Sequence, residues 1–273
     1  MPVRTIAPMR IVSLACSNTE ILWALGCLDR LVGVDSNSDF PPDVVSGLPR
    51  LGQDLEIDIG AVCRLQPDLV LATLTVPGHE TVIEGLEAAG VPFLAPDPES
   101  LDDVYRDIRD IAAALDVPRR GEAVVRRMQD EIGPVPTPAA DAPRVLVQWW
   151  PKPVIAPGRE SWATDILHAA GGQGVLDDED LKSRPMTDEE VARQAPDAIV
   201  LSWCGVEPAK YRPEVVKANP VFRAVPAVVQ GQVHCIPEAY LGRPGPRLVE
   251  GVRALRAIVG SVVSAGARGP RTP

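Results

Sequence analysis

Few residues of this chain are of types that do chemistry, and their spacing argues for recognition rather than catalysis. The three histidines, His79, His168 and His234, are scattered. His234 and Cys235 share an expected strand, so they point to opposite faces and cannot serve one metal. No glycine-rich dinucleotide loop, phosphate loop, nucleophile elbow or His-Glu-x-x-His helix occurs. Gly171-Gly172-Gln173-Gly174 reads as a helix stop, and His79 and His168 as ordinary helix residues. Trp149-Trp150 and Trp203 are expected at strand ends, where an indole offers a flat stacking surface to a large planar ligand. Trp23 and Trp162 fall in helices and read as core. Tyr240 and Arg243 are expected in the loop after the last strand, where a guanidinium can fork onto carboxylate, amide or phosphate groups. Ser17 and Asn37 follow the first two strands.

The elements that position these residues begin with Arg10 to Pro42. Ile11 to Leu14 is a short apolar run without helical period, a buried strand. Ser17-Asn18-Thr19-Glu20 has capping-box spacing. Ile21, Leu22 and Leu25 then make one helix face, and Gly26 suits its stop. Leu31 to Val34 is a second strand, followed by the turn Ser36-Asn37-Ser38-Asp39. Strand, helix, strand opens a parallel α/β sheet, whose ligands collect at the carboxyl ends of strands. Further on, Asp58 caps a short helix, Leu69 to Ala72 is a strand, His79 to Ala89 a helix and Val91 to Leu94 a strand. Ser100 caps a helix with the face Leu101, Val104, Ile108, Ile111 and Leu115. Pro118 opens another, through Ile132.

A second set follows: Val145 to Trp149 as strand, a helix capped by Ser161, a capping box at Thr187 to Glu190, strands Ala198 to Ser202 and Val233 to Ile236, and a last helix bearing Leu248, Val252, Leu255, Val259 and Val262. The two sets echo each other. Pro67-Asp68 and Pro196-Asp197 each stand between a helix end and an apolar strand, 129 residues apart. The expected fold is α/β, two lobes with mostly parallel sheets, over 1–99 and 144–264. A bridging helical segment and linker (100–143) joins them, and a disordered tail takes 265–273. A helix of about 15 residues spans roughly 22 Å, enough to hold lobes apart around a cleft, a preferred place for ligands.

Composition narrows the partners. The net charge of −10 over 273 residues leaves no footprint for nucleic acid, and no run approaches a membrane helix. Five cysteines without C-x-x-C, and no signal peptide in Met1 to Pro8, read as a cytosolic set if the chain is complete. No cofactor of its own and no metal site are expected.

The run SLACSNTEILWALGCLDRLVGVDSNSDFPP, with LQPDLVLA, PGRESWATDILHAAGG, SRPMTDEEVARQAPDAIVLS and GRPGPRLVEGVRAL, resembles the cobalamin-binding proteins of ABC importers from Arg10 to Val259. These are helical-backbone (class III) substrate-binding proteins, related to siderophore and haem binders. The resemblance implies two α/β lobes joined by a rigid backbone helix, no catalysis, a small-molecule ligand in the inter-lobe cleft, an ABC transporter permease as partner, a monomer, and a periplasmic or cell-surface location. The family lines its corrinoid pocket with aromatics. The matching positions are Asn37, Gln53 or Asp54, Thr73 and Ile155, so Trp150, Trp203 and Tyr240 are expected to replace that surface, with Arg243 at the family's ligand-contacting arginine. The family docks through one glutamate per lobe. Glu189 matches in the second lobe, while the first has Gly60, with Asp58 and Glu56 nearby. Alternatives are a siderophore or haem binder of the same fold, and a cytosolic corrinoid carrier or chelatase-like enzyme.

Overall fold

The apolar run after Arg10 becomes a central strand. In this computed structural model, which describes residues 9–266, β1 (Ile11–Ser13) leads directly into α1 (Cys16–Ala24) and then β2 (Leu31–Val34). There follow α2 (Pro42–Val45), the hairpin of β3 (Gly52–Gln53) and β4 (Glu56–Ile57), α3 (Ile59–Arg64), β5 (Leu69–Leu71), α4 (Glu80–Ala88) and β6 (Phe93–Leu94). Strand order is β2-β1-β5-β6, all parallel. Val12, Leu14, Val62, Val70, Val82 and Leu86 form the core between sheet and helices. Runs of buried Val and Leu are what a sheet covered on both faces requires.

Two long helices follow, α5 (Leu101–Ala114) and α6 (Pro118–Ile132). The Ser100 hydroxyl accepts the Asp103 N–H at 3.1 Å, the expected cap. Beyond them run β7 (Arg144–Gln148), β8 (Trp150–Pro151), β9 (Val154–Pro157), α7 (Trp162–Ala169), β10 (Gln173–Gly174), β11 (Ser183–Met186), α8 (Asp188–Gln194) and β12 (Ala198–Leu201). The chain closes with α9 (Pro213–Lys217), α10 (Pro226–Val229), β13 (Val233–Cys235), α11 (Glu238–Leu241) and α12 (Leu248–Gly266). This second parallel sheet has the order β10-β7-β12-β13, so both sheets read 2-1-3-4 in their own strand sequence.

Residues 9–98 and Tyr105–Arg126 pack as one unit, and Glu99–Val104 with 127–266 as the other. The expected segment 100–143 is therefore shared between the units, with the divisions inside α5 and α6. The expected tail starts inside α12, which runs to Gly266; its remainder lies outside the described residues.

The Pro-Asp echo is a repeated latch. The Arg10 N–H donates to Asp68 Oδ2 at 2.7 Å, and the Asp68 N–H returns to Arg10 O at 2.8 Å. In the second unit, the Arg144 N–H donates to Asp197 Oδ2 at 2.9 Å, and the Asp197 N–H to Arg144 O at 2.8 Å. A residue before proline is steered away from the right-handed helical region. Gln66 (φ 47°) and Ala195 (φ 45°) turn left-handed there, ending each helix in the same way. Each latch thus ties a helix end to the start of a central strand.

Three expectations are corrected. Ser17 does not cap α1: the helix starts one residue earlier, and Ala15 holds the cap position without a side-chain cap hydrogen bond. The antiparallel sheet β11-β9-β8 was not expected, because its short strands contain Pro151, Pro157 and Pro185. Trp23 is 38% exposed, standing edge-on to Phe40 at 4.9 Å rather than in the core.

Candidate functional site

In the first unit, the carboxyl ends of β1, β2 and β5 carry a buried polar network. Thr19 Oγ1 lies 2.9 Å from Ser13 Oγ and 2.8 Å from Ser38 Oγ. Ser38 donates to Asp35 Oδ1 at 2.5 Å, while the Asn37 N–H (2.9 Å) and the Cys16 thiol (3.8 Å) donate to Oδ2. Arg50 clamps the loop from outside, donating to the carbonyls of Asp35, Ser38 and Val45. Asn18 Nδ2 reaches across to Ala72 O at 2.7 Å. Every strand end is thereby fixed to a neighbour, which gives the loops rigid roots.

On these roots the expected residues separate by exposure. Asn37 and Gln53 are exposed, and Ser17 is 7% exposed in the first turn of α1. Thr73 is turned inward, sharing its hydroxyl with Thr75 Oγ1 (3.1 Å) and Pro96 O (3.4 Å). His79 does more than begin a helix. Its Nδ1 accepts the Val76 N–H at 3.2 Å, so Nε2 carries the proton and donates to Asp54 Oδ1 at 2.8 Å. That hydrogen bond holds the Asp54 carboxyl below the usual carboxylate range and pins the β3–β4 turn, where Asp54 sits at φ 51°. Exposed Leu55 and Val76 lie on the two segments so joined; sequence reasoning missed both, since lone exposed aliphatics carry no signal.

In the second unit, Trp150 is 41% exposed and stands directly across from Ile155 on the β8–β9 hairpin. The structure therefore brings these two expected residues together, on an antiparallel pair rather than at a parallel strand end. Trp149 packs on Trp162, ring centroids 6.1 Å apart. Trp203 is corrected to a core residue. It is 7% exposed, donates Nε1 to Gln148 Oε1 at 3.1 Å and lies 5.4 Å from the Tyr211 ring, leaving no open face for stacking.

Tyr240 lies in the short helix α11, not in a loop, with the Arg247 guanidinium 5.0 Å over its ring. Arg243 follows immediately and is buried, its Nη2 3.5 Å from Glu238 Oε2. Helix α12 presses close behind: a Cβ at Gly251 would stand 2.1 Å from Tyr240 O, so only glycine fits. Tyr211, absent from the sequence reading, ties α11 down. Its hydroxyl donates to Trp203 O and accepts the Glu238 N–H, both at 3.1 Å.

Glu189 is exposed in the first turn of α8, behind a reciprocal capping box of Thr187 and Glu190. Arg184 grips Glu179 through two bonds of 2.6 and 2.7 Å and approaches Glu190 at 3.5 Å, which steadies that turn. Asp58 differs: its carboxylate caps α3 through the Ala61 N–H at 2.8 Å and pairs with Arg64 at 3.3 Å. The Ala61 bond is the main cause holding its carboxyl low. Glu56 is exposed on β4.

Among the described residues, no three His, Cys, Asp or Glu side chains gather to hold a metal, and no helix is long and apolar enough to cross a membrane. Two parallel α/β units of identical strand order, with polar side chains rooted at the carboxyl strand ends, define a binding protein of the two-unit α/β class. The chain belongs to the Periplasmic binding protein family, which residues 11–240 match.

Among its relatives, the uncharacterized ABC transporter substrate-binding lipoprotein YvrC of Bacillus subtilis (strain 168) is 29% identical over 91% of this chain and 79% of its own. The Vitamin B12-binding protein of Pectobacterium carotovorum subsp. carotovorum is 26% identical over 89% of this chain and 85% of its own. The structure of the periplasmic haem-binding protein RhuT from Roseiflexus sp. RS-1 superposes with a TM-score of 0.79 at 28% identity, covering 94% of this chain and 99% of that one.

Proposed function

We propose that this protein is the substrate-binding component of an ABC importer and that its ligand is a cobalamin-like corrinoid, bound without catalysis and without a cofactor of its own. The observation that carries the reading is the alignment of a Vitamin B12-binding protein along 89% of the chain. Ser17, Asn37, Gln53 and Thr73 supply the contacts on the first unit; Trp150, Ile155, Tyr240 and Arg243 supply them on the second. Exposed Glu189 docks the permease, with Glu56 and Asp58 as the acidic residues of the first unit. The protein works as a monomer outside the cytoplasmic membrane. A haem ligand is the second reading, favoured by the likeness to RhuT.

Titration with cyanocobalamin and with ferric haem, followed by visible absorbance and tryptophan fluorescence, separates the two. The corrinoid reading expects saturable binding of cyanocobalamin in preference to haem. Tight haem binding without cyanocobalamin binding moves the assignment to the second reading.

A further inference from the structure

We infer that the first turn of α1 receives a neutral carbonyl group of the ligand, with Ser17 as its side-chain donor, and that the ligand class is therefore one bearing carboxamides rather than carboxylates. The inference rests on the corrinoid reading above and specifies which chemistry on the corrinoid periphery is recognised.

Three observations support it. First, α1 is nine residues long and its amino end has no side-chain cap hydrogen bond. The amides of Ser17 and Asn18 donate to no acceptor among the described residues. Asp58, Ser161 and Thr187 cap α3, α7 and α8, whereas α1 and the equally long α4 have no side-chain cap. Second, Ser17 is only 7% exposed, yet its hydroxyl has no partner among the described residues. Side chains in a first turn lean toward the amino end, so this hydroxyl converges with the open amides. The hydroxyl oxygen is not among the fully enclosed unpartnered atoms, so it remains within reach of a ligand acceptor.

Third, the neighbouring charge selects the acceptor. A bare helix end alone favours an anion. Here the Asp35 carboxylate, 3% exposed, already takes the thiol of Cys16, the residue next to Ser17, at 3.8 Å. A carboxylate brought to the same turn would be repelled by Asp35 in poorly screened surroundings. A carboxamide oxygen uses the same donors without that repulsion.

The test compares cyanocobalamin with the heptacarboxylate dicyanocobyrinic acid at pH 8, by calorimetric titration of the full chain and its Ser17→Ala and Ser17→Asp variants. The wild type is expected to bind the heptacarboxylate at least about tenfold more weakly. Ser17→Ala should weaken cyanocobalamin by about 3- to 10-fold, the loss of one hydrogen bond. Ser17→Asp, which brings a carboxylate into the turn beside that of Asp35, should weaken it further and lower the unfolding temperature, whereas an unfolding temperature at or above that of the wild type overturns the argument from Asp35. Cyanocobalamin affinity within about twofold of wild type in both variants overturns the inference, as does equal affinity for the two corrinoids. Should either variant fail to fold, the wild-type comparison of the two corrinoids decides. Haem binding with no corrinoid binding overturns the proposed ligand and this assignment together, whereas cyanocobalamin binding indifferent to Ser17 overturns this assignment alone.

Discussion

Replacing Tyr211 by phenylalanine removes one oxygen and with it two hydrogen bonds, the one it donates to the Trp203 carbonyl, which keeps the Val206 N–H at 3.3 Å, and the one it accepts from the Glu238 N–H. The ring and its packing on Trp203 remain, so the loss is almost wholly polar. Two unmade hydrogen bonds in a site where Tyr211 is 5% exposed cost about 2–3 kcal/mol at pH 7. The phenol adds a pH signature. Burial, above all, pushes its pKa up to about 12, against roughly 10 in an unfolded chain. An acid whose folded value is raised is stabilised in its neutral form. Its contribution is fully present below about pH 10 and is lost as pH climbs to about 12, at about 1.4 kcal/mol per pH unit. Urea unfolding of wild type and Tyr211→Phe between pH 7 and 11.5 should show a gap of about 2–3 kcal/mol that narrows above pH 10. Because the hydroxyl holds the start of α11, the variant should also bind cyanocobalamin more weakly at pH 7. A gap that stays constant through the alkaline range, or one below about 0.5 kcal/mol at pH 7, refutes the reasoning.

Asp197→Ala should cost about 1.5–3 kcal/mol in urea unfolding, and Asp68→Ala about 1 kcal/mol or less, because the second latch is part-buried and the first exposed; the reverse order would show that burial does not set latch strength. Trp150→Ala should abolish ligand-induced fluorescence quenching with little change in stability, whereas Trp203→Ala should cost about 3–5 kcal/mol by emptying a core site. An equal stability loss in both contradicts the assignment of Trp203 to the core. Thr187→Ala should lower stability by about 1 kcal/mol. Glu189→Ala should leave ligand affinity intact and weaken association with the permease in a pull-down; unchanged association removes Glu189 from the docking role.

How much was readable from the sequence depended on the range of the interactions. The central strands announce themselves as apolar runs, and Asp58, Ser161 and Thr187 as caps, because both signals are local. The Pro-Asp echo revealed the duplicated architecture, although its meaning as a backbone latch needed Arg10 and Arg144, more than 50 positions away. Ser17 misled because capping-box spacing is necessary but not sufficient: the helix had already begun at Cys16. Trp150 and Trp203 look alike as residues after strands. Only the unexpected β8–β9 hairpin, which carries Trp150 outward, and Tyr211, which packs on Trp203, distinguish them. The Asp35–Ser38–Thr19 network was invisible for the same reason, since turn residues rarely disclose which distant hydroxyl they will meet.

The contact between Gly251 and the Tyr240 carbonyl has a practical side. A receptor used as a reagent must sometimes release what it captures, and mutating its contact residues usually changes which ligand it prefers as well as how tightly it binds. Gly251 lies in α12 and is none of the proposed ligand contacts, yet a single added methyl would collide with the backbone that carries Tyr240 and sits three residues from Arg243. Alanine is otherwise the better helix former, by about 1 kcal/mol, so that preference partly offsets the collision. Since only glycine fits there, Gly251→Ala has to displace the backbone that carries Tyr240, and it is expected to speed ligand release although it alters none of the proposed contact side chains.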